Sequence, residues 1–386
     1  MISFGIVLRL FLTFAMVLVL TPLVRRLAFK VGAVDKPNKR RVNVIPMPSM
    51  GGLAIYISFI ISGFILFHGM IPTKLLIDIA IASGIVVITG IIDDIKEISP
   101  RLKMVGIIIA ACYLFFFAHL KMDLIQVFGL KGFVLPTWLS FIVTVIWVAS
   151  ITNSINLIDG LDGLASGVSM ISLFTIGVVA LFHFQGPLGY IAILIFILVA
   201  AILGFLPYNF YPAKIYLGDT GALFLGFMIA TFSLMGLKNA TIITLLTPII
   251  ILGVPILDTF FAIIRRKVNR QPISSADKMH LHHRLMSMGF THRGAVLTIY
   301  GFAILFSMVA LIYNYLSSLG VIVLSLALLF LIELFIEMIG LIGPNHTPLL
   351  HTLKFIGNKA YRNQIKNNWI EKKERRLKAR RRIKRK

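Results

Sequence analysis

The chain has 386 residues, 58% of them hydrophobic and only 14% charged, with a mean hydropathy of +0.93; a soluble domain carries about 25% charged residues, so a water-soluble globular enzyme is excluded. Thirty-eight Lys+Arg against fifteen Asp+Glu give a net charge of +23. With this hydropathy, that imbalance points to a membrane protein facing anionic lipid and anionic substrates, not to a nucleic-acid binder.

Crossing a hydrocarbon core takes about 20 apolar residues, and such runs recur at about 3–24, 50–67, 74–92, 102–119, 137–155, 164–183, 188–208, 219–236, 241–264, 296–314 and 319–341. They predict an all-α polytopic bundle of about eleven transmembrane helices within residues 1–341, followed by a basic tail, 342–386. The first run lacks a basic leader and ends in Val24-Arg25-Arg26 with no small-residue cleavage site, so it reads as a retained span. The single cysteine, Cys112, excludes an intrachain disulfide and a Cys-based zinc site.

Basic loops stay in the cytoplasm. The segment after the first run carries Arg25, Arg26, Lys30, Lys36, Lys39, Arg40 and Arg41, which puts the N-terminus outside. Alternation then places the segments near 93–103, 153–163, 209–218 and 265–295 inside, with the C-terminus. The loop near 265–295 is strongly basic, in agreement. The opposite loops carry almost no charge, with Lys121 and Lys131 a mild exception. The tail from 354 onward holds fifteen Lys+Arg and two acids, Glu371 and Glu374. It is expected to anchor on anionic headgroups, at about 1 kcal/mol per basic residue near the surface.

With only fifteen acids, their placement is informative, because carboxylates at membrane helix ends are costly. Asp93, Asp94, Asp159, Asp162, Asp219, Asp258 and Asp277 fall in five separate stretches, all on the predicted inner face. Asp93 and Asp94 are adjacent and can share a cation or hold one proton between them. Asn153, Asn156, Asp159 and Asp162 recur every third residue along a helix that ends or breaks at Gly160 and Gly163. Asp219 follows a glycine turn and opens a helix. His280, His282, His283 and Arg284 form a dense cluster beside Lys278, suited to phosphate or, alternatively, to a metal. Glu333 and Glu337 read as packing or interfacial groups, His119 and His183 as interfacial ones, and Asp78 is unassigned.

Carboxylates that hold Mg²⁺ (or Mn²⁺), His and Arg that clamp anions, and apolar walls for a lipid chain together indicate a Mg²⁺-dependent lipid–phosphate transferase. A secondary transporter is the competing class, but it predicts midplane acids and repeated halves. Neither is visible in the sequence.

The runs NSINLIDGLDGLASG, IIDD, YLGDTGALFLG and DKMHLHHRLMSMG with His292, and the first loop VGAVDKPNKRRVN…MPSMGG, resemble the polyprenyl-phosphate N-acetylhexosamine-1-phosphate transferases over about residues 1–340. The HLHHRL form resembles the branch that loads N-acetylglucosamine-1-phosphate onto undecaprenyl phosphate to start teichoic-acid, common-antigen or O-antigen synthesis. It differs from the peptidoglycan translocase branch. The resemblance implies UDP-GlcNAc plus undecaprenyl phosphate giving undecaprenyl-diphosphate-GlcNAc plus UMP, at the cytoplasmic membrane with the site facing the cytoplasm. Another UDP-HexNAc donor, UDP-MurNAc-pentapeptide included, is the alternative. It further implies Asp219 as Mg²⁺ ligand, with Asp93 and Asp94 handling the lipid phosphate and the metal and Asp93 as base. Asn156, Asp159 and Asp162 would hold the nucleotide and diphosphate, with Lys103 among the substrate contacts, and His280, His282, His283 and Arg284 the sugar phosphate. Many relatives carry His and Arg where this chain has Asn43 and Ser49; Arg40 and Arg41 are the substitutes at hand. No nucleic-acid partner is expected, and a homodimer is left open.

Overall fold

A computed structural model describes residues 3–35, 46–125, 133–183, 189–236, 242–268, 270–271, 279–313, 315–340 and 348–357. The chain divides into two compact units, Met1–Ser318 and Leu319–Lys386. In chain order the first contains α1 (Phe4–Val31), α2 (Gly52–Ile61), α3 (Thr73–Lys96), α4 (Pro100–Phe116), α5 (Thr137–Ile158), α6 (Leu164–His183) and α7 (Tyr190–Asn209). It continues with α8 (Gly218–Gly236), α9 (Ile242–Ile251), α10 (Gly253–Val268), α11 (Leu281–Ser287) and α12 (His292–Tyr313). Two short antiparallel ladders pair β1 (Val34–Asp35) with β2 (Met47–Pro48) and β3 (Leu124–Ile125) with β4 (Phe133–Val134). The second unit contains α13 (Ser318–Ile339) and α14 (Pro348–Gly357).

In hydrocarbon every peptide group must be satisfied within its own segment, so apolar runs of this length become helices. Among the described residues, eight helices are long and apolar enough to cross a membrane: α1, α3, α5, α6, α7, α8, α12 and α13. This is a multi-pass membrane bundle. The other three expected runs are helical in different forms. Residues 50–67 become α2 continued by a π-helical turn, Ser62–Leu66. The run at 102–119 becomes the 17-residue α4, capped by Ser99, whose Oγ accepts from the Leu102 N–H, with Pro100 in the first turn. The run at 241–264 is broken into α9 and α10 around Leu252. Pro255 has no N–H to give Ile251 and its ring would crowd that carbonyl. The helix therefore stops, and the proline falls in the first turn of α10, where it is tolerated.

The core is organised around α8, which packs on α3, α5, α2 and α6 and buries Phe224, Phe227 and Phe232 almost completely. Tyr56 of α2 meets Phe224 edge to face with ring centroids 5.4 Å apart. Near its start, α8 is crossed at backbone contact. A Cβ on Gly90 of α3 would collide with the main chain of Thr220, and one on Gly52 of α2 with that of Gly221. Only glycine permits such an approach.

In the second unit, α13 leaves Leu319, Ile322, Val323, Leu326, Leu329 and Leu331 exposed, as a lipid-facing helix would. Glu337, almost fully buried, accepts from the Leu349 and Leu350 N–H groups at 2.6 Å each. It thereby satisfies first-turn donors of α14 that have no partner within the helix. The acid at this position is a cap for the next helix.

Candidate active site

The last turn of α3 delivers Asp93 and Asp94 to the N-terminus of α8. Asp94 accepts four hydrogen bonds: Ser49 Oγ and the Asp219 N–H on Oδ1, both at 2.9 Å, and the Thr220 N–H at 3.0 Å and Thr220 Oγ1 at 2.6 Å on Oδ2. A carboxylate offers about four lone-pair sites, so Asp94 is filled. It caps the first N–H groups of α8, where an anion also meets the positive end of the helix dipole. In doing so it fixes the backbone that carries Asp219.

Asp93 looks the other way. Its Oδ1 accepts from the Ile98 N–H at 2.9 Å, holding the turn into α4, and its Oδ2 lies 2.7 Å from Lys103 Nζ. The same ammonium is 3.1 Å from Asp219 Oδ1, which also accepts from Asn156 Nδ2 at the end of α5. Four residues from four helices thus meet at one point, two carboxylates sharing one lysine. Asp219 is the open member, its side chain 25% exposed against 6% for Asp93.

α5 stops at Ile158, so Asp159 and Asp162 sit in the turn that follows. Burial, then the charges of Asp219, Asp94 and Asp162, hold the Asp159 carboxyl well above the usual carboxylate range. Asp162 anchors the turn: its Oδ2 accepts from the Ala213 N–H at 2.9 Å, and its own N–H donates to His292 Nε2 at 3.0 Å. The His292 ring stacks on Tyr211 at 4.4 Å between centroids. Tyr300 donates to the Gly163 carbonyl.

The histidine segment reaches the same turn from another direction. Asp258, 2% exposed in α10, lies with Oδ2 2.8 Å from His280 Nδ1, and its Oδ1 accepts from the Leu281 N–H at 2.9 Å. His280 and His282 lie parallel with centroids 6.1 Å apart, and His283 is 4.2 Å from His282. The His282 ring lies against Gly160, at the place a Cβ would occupy. Burial, followed by the neighbouring His283 and His280, pulls His282 down to about 3, against an opposing pull from Asp258. His282 is therefore a neutral ring at physiological pH.

The residues expected from sequence are brought together as follows. Asp93, Asp94, Lys103, Asn156 and Asp219 form one contact cluster, Asp159 is coupled to it electrostatically, and His282 adjoins the Asp159–Asp162 turn. His280 and His283 are placed by ring contact with His282, and Arg284 follows His283 directly on α11. Arg40, Arg41, Asn43 and Asp277 lie outside the described residues. Ser49 holds Asp94, so at this position the chain has a hydrogen-bond donor to a helix-capping carboxylate. Sequence reasoning missed Thr220, Tyr211 and the Asp258–His280 pairing. Thr220 stood in plain sight beside Asp219; the pairing joins residues 22 apart, one in α10 and one at the N-cap of α11, and has no local signal.

Among the described residues, no group of three or more His, Cys, Asp or Glu side chains is spaced as a metal cage. The donor set is nonetheless of the hard-oxygen type. Mg²⁺ binds through one or two carboxylates and completes its shell with water and substrate phosphate, and Asp219 with its neighbour Asp93 meets that requirement.

Residues 76–237 match glycosyl transferase family 4. The chain is 42% identical over 358 residues to a probable undecaprenyl-phosphate N-acetylglucosaminyl 1-phosphate transferase of Bacillus subtilis, covering 91% of this chain and 95% of that one. It is 34% identical over 302 residues to a decaprenyl-phosphate N-acetylglucosaminephosphotransferase of Mycolicibacterium smegmatis, covering 72% and 74%. It is 29% identical over 292 residues to an undecaprenyl-phosphate alpha-N-acetylglucosaminyl 1-phosphate transferase of Salmonella typhi, covering 72% and 75%.

Proposed function

The chain belongs to the polyprenyl-phosphate N-acetylglucosamine-1-phosphate transferases, and from that premise we propose that it moves GlcNAc-1-phosphate from UDP-GlcNAc to undecaprenyl phosphate, releasing UMP. The observation that carries this reading is the meeting of Asp93, Lys103, Asn156 and Asp219 at the ends of four helices. Such a site lies where a membrane-held phosphate and a water-borne nucleotide can reach each other. The reading extends to an eleven-span topology with this end in the cytoplasm, to a basic tail resting on anionic lipid, and to a role in starting a cell-surface polysaccharide.

In this mechanism an oxygen of the lipid phosphate attacks the β-phosphorus of the donor. One P–O bond forms, the P–O bond to UMP breaks, and no covalent enzyme intermediate is required. Lys103 Nζ, between two carboxylates, draws the lipid phosphate in, while Asp93 Oδ2 orients it and accepts its remaining proton. Mg²⁺, held by Asp219 with Asp93 near, would neutralise charge developing on the transferred phosphate. Asp94 aims Asp219 through α8. Asn156 fixes the Asp219 carboxylate, the Asp159–Asp162 turn faces the nucleotide, and the neutral His282 packs beside it, with Arg284 as the fixed positive charge of that segment.

The test is to incubate the purified protein with undecaprenyl phosphate, Mg²⁺ and a panel of UDP-sugars, identifying lipid product by mass spectrometry and nucleotide by chromatography. UDP-GlcNAc should give a diphosphate-linked lipid and UMP. Turnover of UDP-MurNAc-pentapeptide in its place would reassign the donor, and release of UDP would overturn phosphosugar transfer.

A further inference from the structure

The mechanism above makes no use of Asp258, yet this is among the most deeply buried acids described and both its oxygens are engaged. We propose that Asp258 is a positioning residue that acts through His280, fixing the ring so that its Nε2 lone pair is presented to an O–H or N–H group of the donor's sugar. The inference rests on the donor reading given above and adds the residue that orients its histidine.

Burying a carboxylate is costly unless partners repay it, and here the partners are two groups of one residue pair, His280 Nδ1 at 2.8 Å and the Leu281 N–H at 2.9 Å. A helix start alone does not call for this arrangement. An N-cap is ordinarily supplied by Ser, Thr, Asn or Asp at the cap position itself. Here the cap position is His280, whose own side chain makes no capping bond. Asp258 supplies the missing acceptor from another helix and takes the histidine ring with the same carboxylate.

The consequence for the ring is fixed by donor and acceptor chemistry. A carboxylate only accepts, so Nδ1 carries the proton, the tautomer is set, and Nε2 on the far edge is left as an acceptor, which suits a sugar hydroxyl or amide N–H and not an anionic phosphate. The ring is further held parallel to His282 at 6.1 Å, and His282 lies against Gly160 in the turn carrying Asp159 and Asp162. Asp258 therefore sets the orientation of one ring, and the stack ties that ring to the carboxylate turn.

The test uses the full-length protein with Asp258→Asn, His280→Ala and the double variant. Asparagine keeps an oxygen for the Leu281 N–H, but its NH₂ turns Nδ1 into an acceptor and moves the ring proton to Nε2. Asp258→Asn should lower kcat/KM for UDP-GlcNAc by about 10–100-fold, the scale of losing an outer-shell orienting partner. The KM for undecaprenyl phosphate should be unchanged and the thermal transition should stay within a few degrees. The double variant should be no slower than His280→Ala alone, because two residues acting through one group do not add. Nitrogen-15 NMR of labelled histidine should show the proton moving from Nδ1 to Nε2 of one ring. Losses that multiply in the double variant, equal damage to both substrates, or an unmoved tautomer would each overturn the proposal. Turnover of a different UDP-sugar would overturn only the donor assignment, the comparison then being made on that sugar. No turnover of any donor would overturn both.

Discussion

In the carboxylate half of the site, Asp93, Asp94, Lys103, Asn156 and Asp219 stand at the ends of four helices of 17 to 24 residues, and two of these, α3 and α8, touch backbone to backbone. In the histidine half, His282, His283 and Arg284 ride on the seven-residue α11, tied down by Asp258 below and Gly160 in front. A helix that short has no stability of its own in water, so its place comes from a few side-chain contacts. In the proposed mechanism the contrast separates two chemical tasks. Charge developing in a transition state is best met by groups that need no rearrangement. A sugar is recognised by groups that can be exchanged without dismantling the centre.

On that division, substitutions in the first half should act on turnover and those in the second on the donor. The largest effect is expected from Asp219→Asn, which removes a carboxylate more exposed than Asp93 while leaving the Asp94 cap on α8 intact. Turnover should fall about 10³-fold or more at every pH, with the fold retained by circular dichroism and with altered Mg²⁺ dependence. Normal turnover with unchanged Mg²⁺ dependence would remove Asp219 from the centre. Asp93→Asn comes next, at about 10²–10³-fold. Its deficit should shrink as pH rises and the lipid phosphate loses its last proton unaided, and a deficit constant from pH 6 to 9 would rule out Asp93 as the base.

Gly160→Ala should cost less and land elsewhere. The new methyl pushes His282 away from the turn, so the KM for UDP-GlcNAc should rise by about tenfold, on the order of 1.4 kcal/mol, with kcat nearly unchanged. A fall in kcat alone would dissolve the division into halves. The smallest effect concerns His282 and acid stability. Its ring is neutral in the folded protein down to about pH 3, whereas an unfolded histidine takes up its proton near pH 6.5. Folding is therefore favoured fully above about pH 6.5, and that contribution is lost as pH falls toward 3. His282→Gln should flatten the acid limb of the melting temperature over this window, and an unaltered limb would show that the ring charges without penalty.

Much of the bundle was legible because apolar length dictates helix. Each expected run is helical, and the acids at the ends of separate runs do converge. What the sequence pattern could not carry was where the run at 241–264 fails as a single span. Hydropathy averages over Pro255 and Gly253, whose effect on backbone geometry splits the run at 241–264. For the site, residue type and spacing picked out Asp93, Asp159, Asp162 and Asp219, but not the difference between Asp93 and Asp94. That difference comes from the side of α3 each occupies, and so from which neighbour, Lys103 or the start of α8, each one meets. Ser49 is similar. Set beside relatives it is a lost positive charge, and only its 2.9 Å contact with Asp94 shows what it does.

The glycines at which α2 and α3 rest on α8 carry a consequence for a cell that changes its lipids. Side chains between helices act as soft spacers, since rotamers readjust when a bilayer thickens, thins or cools. At Gly52 against Gly221, and at Gly90 against Thr220, no such spacer exists, and main chain bears directly on main chain. Asp94 lies one helical turn beyond Gly90, and Asp219 lies beside Thr220. The gap between these carboxylates is thereby set by peptide dimensions, which do not vary with temperature or lateral pressure. An enzyme built this way keeps its charge spacing through shifts in acyl-chain composition.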